Sequence, residues 1–116
     1  MVKKYHKVWV DEEGYIHTID VKYYKRGKYI TDQRFYDFFD AESVTAFMHN
    51  VANSILVEYE DDKERKRLAY AIAKRYFKKA EKEQNKILKR SYLRVARFFW
   101  RLYNTPSKNW SDVMLE

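Results

Sequence analysis

An α+β fold, a three-stranded antiparallel meander followed by three helices in a single domain, is what this sequence predicts. Three observations carry the prediction. Segments rich in aromatic and β-branched residues fill the chain up to residue 39, with a clear period 2 over residues 15–24; from Asp40 onward apolar residues recur every three to four positions; and the breaks between segments are short and polar, with no linker, internal repeat or low-complexity tract. At 116 residues the chain can bury roughly two-thirds of its unfolded surface in one core. The expected division is a meander over 1–39, a helical part over 40–104 and a tail over 105–116, all within one domain.

The strands come first. "KYHKVWV" (4–10) and "YIHTIDVKYY" (15–24) are rich in β-branched and aromatic residues, and the polar "DEEG" separates them. In the second segment Tyr15, His17, Ile19, Val21 and Tyr23 share one face, as a strand requires. "KRGK" then places Arg26 and Gly27 at the centre of a tight hairpin, where Gly accepts positive φ. "KYITDQRFYDFF" (28–39) reads as the third strand.

Asp40 is a predicted N-cap. Val44, Phe47, Met48, Val51, Ile55 and Leu56 follow at helical spacing, which predicts a helix over 41–57 with His49 off its apolar face. Asp61 and Glu64 have the form of a capping box for a second helix over 62–82, whose stripe is Leu68, Ala69, Ile72, Ala73, Tyr76, Phe77 and Ala80. A short turn is expected near Asn85, because an unbroken helix of some 40 residues would run about 60 Å, too long for a domain of this size. The third helix runs to Asn104, where Pro106 forbids continuation. "SKNWSDVMLE" adds one short turn, with Trp110, Val113 and Met114 docking on the core.

Charge is unevenly placed. The chain carries 24 Lys and Arg against 17 Asp and Glu, but residues 1–62 have a net charge of −4 and residues 63–116 a net charge of +11. Such asymmetry points to an anionic partner. With no Cys, disulfides and thiolate metal sites are excluded. No apolar run suits a signal peptide or a membrane span, so a cytoplasmic location is expected.

The third helix holds the strongest signal. "KILKRSYLRVARFFWRLYN" (86–104) contains six Lys and Arg and no acid. At 100° per residue, Lys86, Arg97, Arg90, Arg101 and Arg94 fall within an arc of about 80° that spans about 22 Å of helix axis, opposite Leu88, Val95, Phe99 and Leu102. Like charges at these spacings repel one another, so a neutralising partner is expected. Four of the five are Arg, whose planar fork grips phosphate or carboxylate. The competing reading is a solvated face balanced by Glu58, Glu60 and Asp62 of the same fold. Lys74, Lys78 and Lys82 on the second helix add to the field, and antiparallel packing would let the two basic edges join in one groove.

Other constellations are weaker. His6, His17 and His49 include no pair at metal-binding helical spacing, there is no nucleophile motif, and both Gly are used in turns, so no phosphate loop, cofactor site or catalytic residue is expected. "EYEDDKE" (58–64) gathers acids at a helix start, where the helix dipole favours them without an ion. Tyr24, Tyr29 and Tyr36 could stack bases, although core packing is the commoner use. A basic amphipathic helix bearing Trp100 can also lie on an anionic bilayer, but the core competes for the same apolar face.

Three strands followed by "FFDAESVTAF" (38–47) resemble the sheet-plus-helix DNA-binding domain at the N-terminus of phage-type tyrosine integrases, in which a strand runs into a Phe, a polar cap and a helix. The resemblance covers less than half of the chain and implies DNA contact through the sheet. In that family the sheet is basic; here residues 1–62 are acidic.

The expected function is therefore that of a small non-enzymatic nucleic-acid-binding protein that uses its basic helical face. The alternative is an inhibitor or adaptor from a phage or mobile element, docking that face on an acidic protein surface or in the nucleic-acid channel of a larger machine. The residues expected to bind are Lys86, Arg90, Arg94, Arg97 and Arg101, with Lys74, Lys78 and Lys82. No membrane contact is expected.

Overall fold

The structure, a computed structural model, describes residues 36–115 in full and the backbone of residues 6–10 and 16–20. It corrects the α+β expectation: 82% of residues 36–115 are helical and none is in a strand, so this is a helical domain. The only strand pairing among the described residues is a two-stranded antiparallel hairpin of β1 (His6–Val10) and β2 (Ile16–Asp20), with His6 opposite Asp20 and Trp9 opposite His17. Of the expected third strand, residues 28–35 lie outside the described residues.

Residues 36–39 are described, and they form a turn instead of a strand end. The reason is local. The Asp37 carboxylate accepts the Phe39 N–H at 2.9 Å and the Asp37 N–H donates to Ser43 Oγ at 2.8 Å, which folds the backbone back on itself. Phe38 then leaves strand geometry for the helical core, its ring centroid 5.2 Å from Phe47, 5.7 Å from Tyr92 and 6.2 Å from Tyr76. An aromatic pair at such distances contributes about 0.5–1.5 kcal/mol beyond its buried area.

Helix α1 spans Ala41–Glu58, and Asp40 caps it by accepting the Ser43 N–H. Val44, Phe47, Met48, Val51 and Ile55 are buried as their spacing requires. Helix α2 spans Asp62–Lys82 behind the cap Asp61, which accepts the Lys63 N–H at 3.1 Å. Glu64 does not complete the reciprocal capping pair read from the sequence. Its carboxylate takes both bonds from the Arg67 fork, which holds it below the usual carboxylate range. Phe77, expected in the buried stripe, is 37% exposed.

The break before α3 (Lys86–Tyr103) is present, and Asn85 makes it: its side chain accepts the N–H groups of Ile87 and Leu88 at 3.0 and 3.1 Å. Two otherwise orphaned donors at the helix start are thereby satisfied. α2 and α3 pack antiparallel, with Tyr70 against Tyr103 and Tyr76 against Tyr92.

Beyond α3, a 3₁₀ turn (Ser107–Asn109) leads into a short α4 (Trp110–Leu115). Trp110 is fully buried and donates its indole N–H to the carbonyls of Leu102 and Thr105, at 2.9 and 3.0 Å. Val113 and Met114 pack against the same core. Among the described residues, no helix is long and apolar enough to cross a membrane.

Candidate nucleic-acid interface

The five cations of the α3 arc are all exposed because Val95, Ala96, Phe99 and Leu102 take the buried side of that helix. Lys86 and Arg90 stand on its first half. Arg94, Arg97 and Arg101 line one wall of a groove of about 370 Å³, with Thr45, Met48 and His49 of α1 opposite and Val113 and Met114 of α4 closing one end. Phe98 forms part of the floor, its ring centroid 6.0 Å from His49. No Asp or Glu lines this groove. An anion entering it meets the guanidinium groups of Arg94, Arg97 and Arg101 beside the apolar side chains of Met48, Phe98, Val113 and Met114.

Arg94 has a second task. Its Nη1 donates to the Ala41 carbonyl at 3.0 Å and its Nη2 to Thr45 Oγ1 at 2.5 Å, which ties α3 to the first turn of α1. Ser91 reinforces this edge by donating its hydroxyl to the Phe38 carbonyl.

The α2 cations occupy a different place. Lys78 and Lys82 line a separate cleft of about 300 Å³ with Arg75, Lys79, Glu83 and Tyr92, and this cleft shares no residue with the groove. Lys74 is exposed on α2. The expected single groove joining both helices is thus two surfaces. Lys79 lies over the rings of Tyr92 and Tyr76, 5.1 and 5.3 Å from their centroids, and burial followed by the nearby Arg75 charge holds its pKa below the usual lysine value.

Two of the nearby acids are committed elsewhere. Glu64 is paired with Arg67, and Asp62 accepts the Ser107 N–H at 2.7 Å, a bond that keeps its carboxyl below the usual range.

Two constellations escaped the sequence. Arg65 clamps three elements, donating to the carbonyls of Leu56 and Tyr59 at the end of α1 and to Ser107 Oγ in the tail. Tyr70, Trp100 and Tyr103 form a triangle of rings whose centroids lie 5.1, 5.6 and 6.1 Å apart, with Tyr70 38% and Trp100 46% exposed. The i,i+3 spacing of Trp100 and Tyr103 was a signal; Tyr70 joins them only once α2 and α3 pack. Of the tyrosines considered for base stacking, Tyr24 and Tyr29 lie outside the described residues. Tyr36 packs edge-on to Phe47, and its hydroxyl accepts from Asn50 at 2.7 Å.

Compared with protein-family models, with curated proteins and with solved structures, the chain matches none. Residues 38–39, where the integrase resemblance has a strand run into the helix, form a turn, and residues 28–35 before them lie outside the described residues.

Proposed function

We propose that this is a non-enzymatic nucleic-acid-binding protein whose contact surface is the outer face of α3. One observation carries the reading: five exposed cations in a row along a single helix, three of them on the wall of a groove that holds no acid. Backbone phosphates repeat along a strand, and such a row can follow them, whereas a small anion needs only one pocket. Neutralising four or five charges gives a slope of log affinity against log salt of about −3.6 to −4.5 on duplex DNA and about −2.8 to −3.5 on a single strand.

The test is fluorescence anisotropy with nuclease-treated protein and mixed-sequence oligonucleotides across a salt series. The variant to use is Arg90→Ala with Arg97→Ala, which spares the structural bonds of Arg94. It should stay folded, weaken binding to all sequences alike and flatten the duplex slope by about 1.8. A folded double variant with unchanged affinity and slope refutes the reading.

A second reading, docking on an acidic protein segment, draws on the apolar floor of Met48, Phe98 and Met114 beneath the Arg side chains. It takes over if the wild-type protein binds no nucleic acid at low salt while an acidic amphipathic peptide binds and the double variant releases it.

A further inference from the structure

We infer that the nucleic acid this surface takes is single-stranded, and that Tyr70, Trp100 and Tyr103 form the platform on which its unpaired bases stack; the inference rests on the nucleic-acid reading above. In a folded duplex the base faces are already covered by their neighbours, so an exposed aromatic surface gains little from it. On a single strand every base offers a free face, and stacking on an aromatic side chain is tolerant of sequence.

The geometry supports this assignment at three points. The rings are neighbours that stay open to solvent: they meet at interplanar angles of 44–52°, and Trp100 keeps nearly half of its surface in water. A Trp whose only task was to seal the α2–α3 seam would be buried like Trp110, which is fully enclosed with its N–H satisfied.

Cations border the rings on both sides. Lys63 and Lys66 of α2, together with Arg67, whose charge Glu64 already balances, share a cleft of about 500 Å³ with Tyr70 and Tyr103. On the other side Arg97 precedes Trp100 by three residues on α3, the spacing of helix-surface neighbours. The acid in the cleft, Asp62, accepts the Ser107 N–H and stays ionised, so it offsets one of the two charges of Lys63 and Lys66.

The platform also adjoins the α3 row. By helical geometry Trp100 projects about 40° from Lys86 and about 60° from Arg97, on the side of the basic arc facing away from the α1 groove. A backbone held by the Arg row can therefore lay bases across the rings without leaving the protein. An apolar peptide would have to desolvate these flanking cations without neutralising them, which disfavours it here.

The experiment compares a 5′-labelled 20-nucleotide single strand of low self-complementarity with its own duplex at one salt concentration. Wild-type protein, Trp100→Ala, Trp100→Phe and Tyr70→Ala are titrated into each. The single strand should bind more tightly than the duplex. Trp100→Ala should weaken single-strand binding about 5- to 150-fold, with the salt slope unchanged and duplex binding unaffected, since the loss is of stacking and not of charge. Tyr70→Ala should act in the same direction, and Trp100→Phe should retain most of the affinity because it retains a ring. Both positions are partly exposed, so circular dichroism should report folded variants.

If the wild-type protein binds neither strand nor duplex, the function proposed above fails and the platform with it. If it binds nucleic acid but Trp100→Ala and Tyr70→Ala bind the single strand as the wild type does, or lose duplex affinity equally, the platform is overturned and the basic-row reading stands.

Discussion

Tyr76 shows how much a single buried atom can weigh. Its ring is central to the aromatic cluster of Phe38, Phe47 and Tyr92, yet among the described residues its hydroxyl has no hydrogen-bond partner. A buried polar group left unpaired costs about 1–3 kcal/mol, so Tyr76→Phe should raise stability by about 1 kcal/mol in a urea melt while leaving binding unchanged. Burial also pushes the Tyr76 phenol well above its ordinary pKa of 10.0. A group whose folded pKa is raised contributes stability that is intact below the unfolded value and lost as pH rises beyond it. Wild-type protein should therefore lose stability steeply above about pH 10, and Tyr76→Phe should lose less; equal alkaline losses would contradict the assignment.

Helix boundaries were legible because each rests on a local device that one short window displays. Asp40, Asp61 and Asn85 are short polar side chains just ahead of apolar stripes, and each caps its helix. The supposed strand end at "FYDFF" misled for a physical reason: a run of aromatic residues suits a half-buried strand, but equally an Asp turn that sends Tyr36 and Phe38 into a helical core while Phe39 stays exposed. Arg65 was illegible because its acceptors are mostly backbone carbonyls, which leave no side-chain pattern. Yet it joins α1, α2 and the tail. Arg65→Lys keeps the charge but loses the fork, and should cost at least about 2 kcal/mol in thermal or urea unfolding. A melt indistinguishable from wild type would show that the clamp contributes nothing.

Over the whole molecule, charge and packing were read from the sequence with different success. The basic row depends only on helical periodicity within one segment, and it is exposed as that periodicity required. Its division from the α2 cations, and the aromatic triangle, depend on how two helices pair, which no single segment encodes. The same pairing governs how the chain reaches its fold. α2 and α3 are joined by only residues 83–85 and zip outward from that loop through Tyr76–Tyr92 and then Tyr70–Tyr103, 16 and 33 positions apart, whereas the ties of Arg65 to Ser107, Ser91 to Phe38 and Arg94 to Ala41 span 42, 53 and 53 positions. Short loops close early, so the α2–α3 hairpin should form the folding nucleus and the long ties should close after the barrier. In stopped-flow measurements, Ala96→Gly in the hairpin should mainly slow refolding, and Arg65→Lys should mainly speed unfolding. The surface proposed to hold bases, built wholly from α2 and α3, would then be assembled before the remainder of the domain has docked upon it.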